Sequence, residues 1–119
     1  MTQYDAGFWA AVDRLVAKSE IIIDRPRGSA HPKYPGFIYP VNYGYLKETS
    51  STDCSGIDIW RGRGMGRVDA IIVTVDLLKR DSEIKILIGC SEAEKRLILA
   101  SLNDSPSMKA IIIQRPENT

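Results

Sequence analysis

The sequence predicts a mostly β domain of the α+β class, with six strands and two helices. Short runs rich in β-branched residues, such as EIIID and VDAIIVTVDLL, alternate with loops rich in glycine and proline. Two other segments repeat their apolar residues every three or four positions, as amphipathic helices do. The chain has 119 residues, enough for one core, so we treat 1–119 as a single domain.

Composition and charge are those of an ordinary globular chain. Hydrophobic residues make up 44% and charged residues 26%. The net charge of +1 argues against a nucleic-acid partner. Cys54 and Cys90 lack the spacing of a metal motif, which favours free thiols in a reducing compartment. We see no apolar run near the ~18 residues of a membrane span and no signal peptide, and therefore expect a cytoplasmic protein without a membrane partner.

The first helix is predicted over residues 5–18. Its apolar residues recur at spacings of three and four, namely Phe8, Val12, Leu15 and Val16, with Trp9 at their border. This pattern favours a helix that covers the sheet. The alternative is a helix that joins copies of the chain in a homo-oligomer.

The second helix is predicted over residues 91–103. Ser91 followed by Glu94 is the sequence of a capping box. The apolar side would consist of Ala93, Leu97 and Ala100, with Ile98 beside them.

The strands are predicted at 20–24, 37–47, 57–60, 68–78, 83–88 and 109–115. Their alternation assigns faces: Ile21 and Ile23 lie opposite Ile22, and Glu83, Lys85 and Leu87 lie opposite the three isoleucines of the strand 83–88. The connections at 61–67 and 79–81 are predicted to be hairpins.

The candidate chemistry lies in residues 39–58, YPVNYGYLKETSSTDCSGID. Asp53 comes ten residues after Tyr43, and Asp58 follows five residues later. Carboxylates at this spacing in one loop can face a common space and gather a hard cation, and magnesium prefers oxygen ligands completed by water and phosphate. The sequence therefore predicts a phosphate-and-magnesium site.

The loop 25–36, RPRGSAHPKYPG, contains three prolines and two glycines and is predicted to lack regular structure. On composition alone a plain surface loop is the stronger interpretation. The alternative is a stiff loop that presents Lys33, with Arg25 or Arg27, to an anion.

These segments resemble the soluble family I inorganic pyrophosphatases, whose signature is YPxNYGY followed by D-G-D-P-x-D. In that family a glutamate at a strand end is followed nine residues later by a phosphate-binding lysine, and Asp24 and Lys33 keep this spacing. A further family pattern, D-x-x-x-x-D-x-K, is matched in part by Glu83 and Lys85. Asp76 and Asp81 are rivals for its first acid.

The resemblance implies a small OB-like antiparallel β-barrel of five or six strands, with an N-terminal and a C-terminal helix outside it. It implies magnesium-dependent hydrolysis of inorganic pyrophosphate to phosphate. The implied magnesium ligands are Asp53, Asp58, Asp81, Glu83 and Asp24. The implied phosphate-binding residues are Lys33, Tyr43 and Lys85, and the implied catalytic residues are Asp58, Tyr43 and Lys33.

The sequence also departs from the family. Ser55 stands where the motif has an aspartate, and the hairpin that carries an active-site arginine is absent between Lys33 and Tyr39. Two alternatives therefore stay open. One is a non-catalytic module that binds a phosphate ligand or a protein, and the other is a hydrolase of another phosphate or diphosphate ester.

Overall fold

The computed structural model describes residues 4–51 and 54–119, which form one six-stranded mixed sheet with a helix packed on each face. In chain order the elements are α1 Asp5–Ala17, β1 Ile21–Arg25, β2 Asn42–Leu46, β3 Ile57–Arg61, β4 Val68–Asp76, β5 Asp81–Ile88, α2 Glu92–Leu102 and β6 Met108–Gln114. Neither helix of the described residues has the length and apolar character needed to cross a membrane.

The strands follow the order β1-β2-β3-β5-β4-β6 across the sheet. Four neighbouring pairs are antiparallel, whereas β3 and β5 run parallel, with Trp60 beside Leu87. Because β5 lies between β3 and β4, the predicted hairpin at 61–67 is wrong, and this segment crosses over β5 instead. Its glycines permit the crossing: a Cβ on Gly62 would meet the backbone of Gly89 and Cys90 at the end of β5.

The remaining connections also differ in detail from the predicted bounds. The turn between β4 and β5 covers residues 77–80, so β5 begins at Asp81 rather than at residue 83. The strand predicted at 37–47 is regular only over Asn42–Leu46, because Pro40 interrupts it. Cys54 is exposed and Cys90 is buried, and both are free thiols as expected.

Alternation along the strands divides the core into two layers. Ile59 and Ile86 face α1, while their neighbours Trp60 and Leu87 face α2. The predicted strand faces are confirmed on this point. In α1, Trp9 and Val12 are buried and Leu15 and Val16 pack against the same core, whereas Phe8, assigned to the buried side, is 45% exposed. Burying the indole of Trp9 removes more apolar surface from water than burying Phe8 would.

The capping box of α2 is confirmed, since the Ser91 hydroxyl accepts from the Glu94 N–H and the Glu94 carboxylate accepts from the Ser91 N–H. The predicted apolar side is right only for Ile98, since Ala93, Leu97 and Ala100 are exposed. The helix buries Ile98, Leu102 and the stem of Lys95, and it leaves Leu97 exposed. The stem of Lys95 can cover the sheet because its ammonium reaches Gln114 on β6 at 2.8 Å.

Candidate functional site

A cleft of about 910 Å³ opens on the sheet face that also carries α2. Its floor includes Tyr43 on β2, Asp58 on β3 and Lys85 on β5. The loop between β1 and β2 contributes His31 and Tyr34 to the cleft. The polar floor and the aromatic loop thus belong to one space.

Four side chains meet at the floor, and we call them the Lys85 centre: Lys85, Tyr43, Asp58 and Glu83. The Lys85 ammonium donates to the Tyr43 hydroxyl at 2.8 Å, to Asp58 Oδ2 at 3.0 Å and to Glu83 Oε2 at 3.1 Å. The sequence produces this meeting in two ways. Glu83 and Lys85 share a face because they are two apart on β5, and the parallel register of β3 with β5 brings Asp58 alongside Lys85.

Burial and charge fix the protonation states of this centre. Burial alone would disfavour the ammonium of Lys85, but Tyr43, Asp58 and Glu83 outweigh it, so the pKa of Lys85 lies above its usual value. Burial also raises the pKa of Tyr43 well above that of a free phenol, with the Asp58 carboxylate acting in the same direction. At neutral pH the cleft therefore presents a protonated lysine beside a neutral tyrosine.

The cleft as a whole carries more negative than positive charge. Among the described residues, six carboxylates and three cationic side chains line it, namely Asp24, Asp58, Asp76, Asp81, Glu83 and Asp104 against Arg25, Lys79 and Lys85. A polyanion that enters alone would meet net repulsion, whereas one accompanied by cations would not.

The loop between β1 and β2 folds back on itself as a short hairpin. The Gly28 N–H donates to the Tyr39 carbonyl, the His31 N–H donates to the Phe37 carbonyl, and Ala30 pairs with Ile38. The sequence predicts no regular structure over 25–36, whereas β1 extends to Arg25. In the rest of the loop, which the structure describes in full, only this isolated bridge is present.

The structure distributes the predicted site residues in three ways. It brings Tyr43, Asp58, Glu83 and Lys85 into contact, and it places Asp24, Asp81 and Ser55 on the lining of the same cleft. Lys33 is exposed near the tip of the loop and does not line the cleft. Asp53 lies outside the described residues.

Asp76 and Asp81, the rivals for one acid position, both line the cleft. They differ in their partners. The Asp76 carboxylate accepts the N–H groups of Leu78 and Lys79, so it closes the β4–β5 turn. Asp81 begins β5 opposite Asp76.

Two cations line the cleft that the sequence does not single out as site residues, Arg25 and Lys79. The sequence suggests Arg25 only as an alternative anion contact of its loop, and it places Lys79 in a hairpin. Arg25 donates to the Tyr39 hydroxyl at 2.8 Å, and β1–β2 pairing sets it beside Tyr43. Its place next to Asp24 in the segment covered by the resemblance was a usable signal. Lys79 had none, because its position depends on how the β4–β5 turn lies over the cleft.

The cleft offers the type of ligand atom that magnesium prefers, but among the described residues too few such side chains are grouped together to form a complete site. Carboxylate oxygens are its preferred protein ligands. Within residues 4–51 and 54–119, however, no three acidic, histidine or cysteine side chains are grouped so as to hold a metal ion. Magnesium commonly uses one or two carboxylates and completes its shell with water and substrate phosphates. Asp58 and Glu83 therefore fit an ion that is held jointly with a phosphate ligand.

Comparison with known proteins gives fold similarity only. No family model matches the chain, and no curated protein matches it. Among solved structures, an inorganic phosphatase from Anaplasma phagocytophilum aligns with a TM-score of 0.56 at 12% identity, over 79% of this chain and 81% of that one. An inorganic pyrophosphatase from Coxiella burnetii aligns with a TM-score of 0.54 at 15% identity, over 79% and 82% of the two chains. One from Helicobacter pylori gives 0.55 at 12% identity, over 82% and 84%.

These alignments confirm the predicted fold class. The chain has the α+β architecture of these bacterial proteins, with the mostly antiparallel sheet and the two helices in the expected places. The sheet is not closed, since β1 and β6 are its two edges. At 12–15% identity the likeness concerns the fold, and the chain shares that fold with bacterial inorganic pyrophosphatases.

Proposed function

We propose that the chain hydrolyses inorganic pyrophosphate to phosphate in a magnesium-dependent reaction at the Lys85 centre. The observation that carries this proposal is the Lys85 ammonium held between Tyr43, Asp58 and Glu83 in a large cleft. The fold shared with solved pyrophosphatases supports it. The motif YPVNYGY at residues 39–45 supports membership of soluble family I.

Lys85 and Tyr43 would act by charge and position. Because Lys85 stays protonated and Tyr43 stays neutral near pH 7, Lys85 can supply positive charge to phosphate oxygens and, once one of its three present acceptors is displaced, an N–H group, while Tyr43 can offer its O–H. Positioning and charge stabilisation supply most of the catalysis of phosphoryl transfer. In the reaction a water oxygen bonds to one phosphorus while the bridging P–O bond breaks. Lys33, which the resemblance assigns to phosphate binding, is exposed outside the cleft lining and is the candidate ligand of the second phosphate.

Asp58 and Glu83 would hold magnesium, with Asp53, Asp81 and Asp24 as further candidate ligands. The ion would neutralise phosphate charge and lower the pKa of a bound water. The excess of carboxylates over cations along the cleft supports this dependence, because pyrophosphate without a cation would be repelled there.

Phosphate release from pyrophosphate, with and without magnesium, tests the proposal. We expect chelator-treated protein to be inactive and to recover when magnesium is added. Asp58→Asn keeps the shape of the side chain and removes its charge, so we expect activity to fall at least about tenfold. It should also lose the rise in melting temperature caused by magnesium with a pyrophosphate analogue. Asp5→Asn, at the start of α1 and outside the cleft, is the matched control.

The proposal is wrong if the protein releases no phosphate above the chelator baseline with any of several divalent ions. It is also wrong in its assignment of Asp58 if Asp58→Asn retains the full magnesium dependence. A variant that fails to fold is recognised by its circular dichroism spectrum before activity is compared.

One observation favours a non-catalytic phosphate-binding module as a second candidate: Lys85 already pairs with Asp58 and Glu83, the two carboxylates proposed to hold magnesium, so the ion must compete with the ammonium for them. An ammonium has three N–H donors, and Lys85 already has three acceptors within 3.1 Å. A phosphate must therefore displace one of them to reach Lys85. Calorimetric binding of pyrophosphate without phosphate release would identify the module.

A further inference from the structure

The cleft is far larger than inorganic pyrophosphate requires. Its volume of about 910 Å³ lies near the upper end of the roughly 300–1,000 Å³ that hold drug-sized or cofactor-sized ligands. The Lys85 centre occupies only part of the floor. The remaining wall therefore offers contact surface for a group attached to the diphosphate.

That wall carries a continuous row of rings, which we call the aromatic row: Tyr43, Tyr39, His31 and Tyr34. Successive ring centroids are 5.2 Å, 6.3 Å and 5.0 Å apart, from the Lys85 centre outward. Tyr39 is buried, whereas Tyr34 at the outer end is 59% exposed. An exposed ring that continues a packed row in a cleft is a surface on which a planar ligand group can stack.

The short hairpin of this loop holds the outer rings in place. The His31 imidazole accepts the backbone N–H of Lys33 at 3.0 Å through Nδ1, and Tyr34 N–H lies 3.3 Å from the same nitrogen. The Phe37 N–H donates to the Tyr34 carbonyl. The Tyr34 ring is thus presented from an ordered turn, which lowers the entropy that stacking would otherwise cost.

The charges around the row indicate the sign of its ligand. Arg25 lies with its guanidinium 5.8 Å from the Tyr39 ring centroid, and Lys79 also lines the cleft. Burial, followed by Arg25, Lys79 and Lys33, lowers the pKa of His31, so the imidazole is neutral at pH 7. Arg25 beside Tyr39 disfavours a cationic group stacked on the row. Because the cleft as a whole is acidic, the row suits a planar group whose phosphates enter together with magnesium.

We propose that the cleft binds and cleaves nucleoside diphosphates, with the base stacked on the outer aromatic row and the diphosphate at the Lys85 centre. This inference rests on the proposed function, because it uses the same centre for the phosphates. In the reaction a water oxygen bonds to the β-phosphorus and the bond from that phosphorus to the bridging oxygen breaks. Phosphate and a nucleoside monophosphate leave, and the remaining water proton passes to the solvent.

A matched pair of non-hydrolysable ligands isolates the contribution of the base. Methylene diphosphonate mimics pyrophosphate, and α,β-methylene ADP adds adenosine to the same group. We expect calorimetry in magnesium buffer to show the ADP analogue binding about tenfold more tightly, as one stacked base contributes. Tyr34→Ala should reduce that ratio to about one, while Tyr34→Phe should keep it. Tyr4→Ala, which removes an exposed tyrosine outside the cleft, should leave the ratio unchanged.

Equal affinity of the two analogues for the unmodified protein would overturn the nucleotide proposal, as would an unchanged ratio in Tyr34→Ala. Phosphate release is measured in parallel from ADP and from pyrophosphate. Cleavage of pyrophosphate without cleavage of ADP would overturn the nucleotide proposal alone. Loss of pyrophosphate cleavage would instead overturn the proposed function, whatever the ratio of the two affinities.

Discussion

Lys85 combines burial with a full positive charge, since only 8% of its side chain is exposed and both Asp58 and Glu83 pair with it. Removing one member of such a buried ion-paired cluster destabilises the fold, because without the cation the carboxylates face each other unpaired. We predict that Lys85→Met, which keeps the length of the side chain, lowers the free energy of unfolding by about 3–5 kcal/mol. Urea denaturation followed by circular dichroism measures it.

Lys47→Met is the matched control for this prediction. Lys47 pairs with Glu20 at 3.8 Å on the surface, where more than half of each side chain is exposed. Exposed pairs contribute about 0–1 kcal/mol, so this variant should unfold almost like the parent. Equal losses in the two variants would show that the ion pairs of the Lys85 centre have no special weight in the stability of the fold.

Ser55 is an exposed residue of the cleft at the position where the resembled motif has an aspartate. Its neutral hydroxyl adds no charge to a magnesium site. We predict that Ser55→Asp lowers the half-saturating magnesium concentration severalfold and raises the rate of pyrophosphate hydrolysis, since an added charge near the ion contributes about 1–4 kcal/mol of attraction. Without metal the variant should be slightly less stable, because like charges then crowd one cleft.

Titration of magnesium against activity tests this expectation. Ser50→Asp, which adds the same charge in the same loop but outside the cleft lining, is the control. If Ser55→Asp and Ser50→Asp both keep the parental magnesium dependence, the loop around Ser55 is not part of a metal site in this chain.

At the scale of the element, β2 depends on the absence of one side chain. A Cβ on Gly44 would overlap the backbone of Ile22 and Ile23 in the neighbouring β1. Because backbone atoms cannot rotate away as a flexible side chain can, we predict that Gly44→Ala destabilises the protein by about 1–3 kcal/mol or more. Thermal and urea unfolding measure the loss.

Gly36→Ala is the comparison for Gly44→Ala. Nothing lies within 4 Å of a Cβ at Gly36, so alanine should be tolerated there. A Gly44→Ala variant as stable as Gly36→Ala would mean that β1 and β2 do not pair as closely as described. Asp24 and Arg25 on β1 would then lose their support at the edge of the cleft.

The strands were more predictable from the sequence than the helices. Alternation assigns strand faces because each residue turns its side chain through about half a circle, and the faces of Lys85 and Leu87 followed directly. For α2 the pattern of apolar residues predicts that Leu97 is buried, but in the structure Leu102 and the stem of Lys95 are buried instead. An amphipathic lysine does not reveal in the sequence that its stem will be buried.

Contacts of the candidate site can be predicted from the sequence within one strand, but contacts between strands require the order of the strands in the sheet. Glu83 and Lys85 share a strand, so their proximity follows from spacing. The contact of Lys85 with Asp58 depends on the insertion of β5 between β3 and β4, which adjacency along the chain does not indicate. Only the resemblance to the pyrophosphatase family indicated that Asp58 and Lys85 belong to the same site. Lys79 lines the cleft because of the path of the β4–β5 turn, and no local sequence pattern specifies that path.

At the scale of the whole molecule, the two faces of the sheet differ in polarity. The layer under α1 is apolar, with Leu46, Ile59 and Ile86 at its centre. The layer under α2 begins apolar at Ile98 and ends in the polar cleft. The chain can therefore carry charged groups on one face because the other face buries apolar surface under α1, although Ile84 and Ile111 on that face stay exposed.

The net charge of the cleft predicts how its ligands depend on each other. Carboxylates outnumber cations along it, and the described residues alone do not assemble a three-ligand metal site. Magnesium without a phosphate ligand should therefore bind weakly, and a diphosphate without magnesium should meet repulsion. We predict positive coupling between the two, of about 1–3 kcal/mol, or roughly 5- to 150-fold in affinity.

Calorimetric titration with imidodiphosphate, a slowly cleaved analogue of pyrophosphate, at a series of magnesium concentrations measures this coupling. Sodium chloride at matched ionic strength controls for screening, which weakens repulsion without a specific site. Linkage requires that the analogue strengthen magnesium binding by the same factor, so titration in the opposite order checks the result. In Asp58→Asn the factor should shrink toward one. If sodium chloride reproduces the entire effect of magnesium, the cleft attracts cations only as a charged surface, and the proposed magnesium site is wrong.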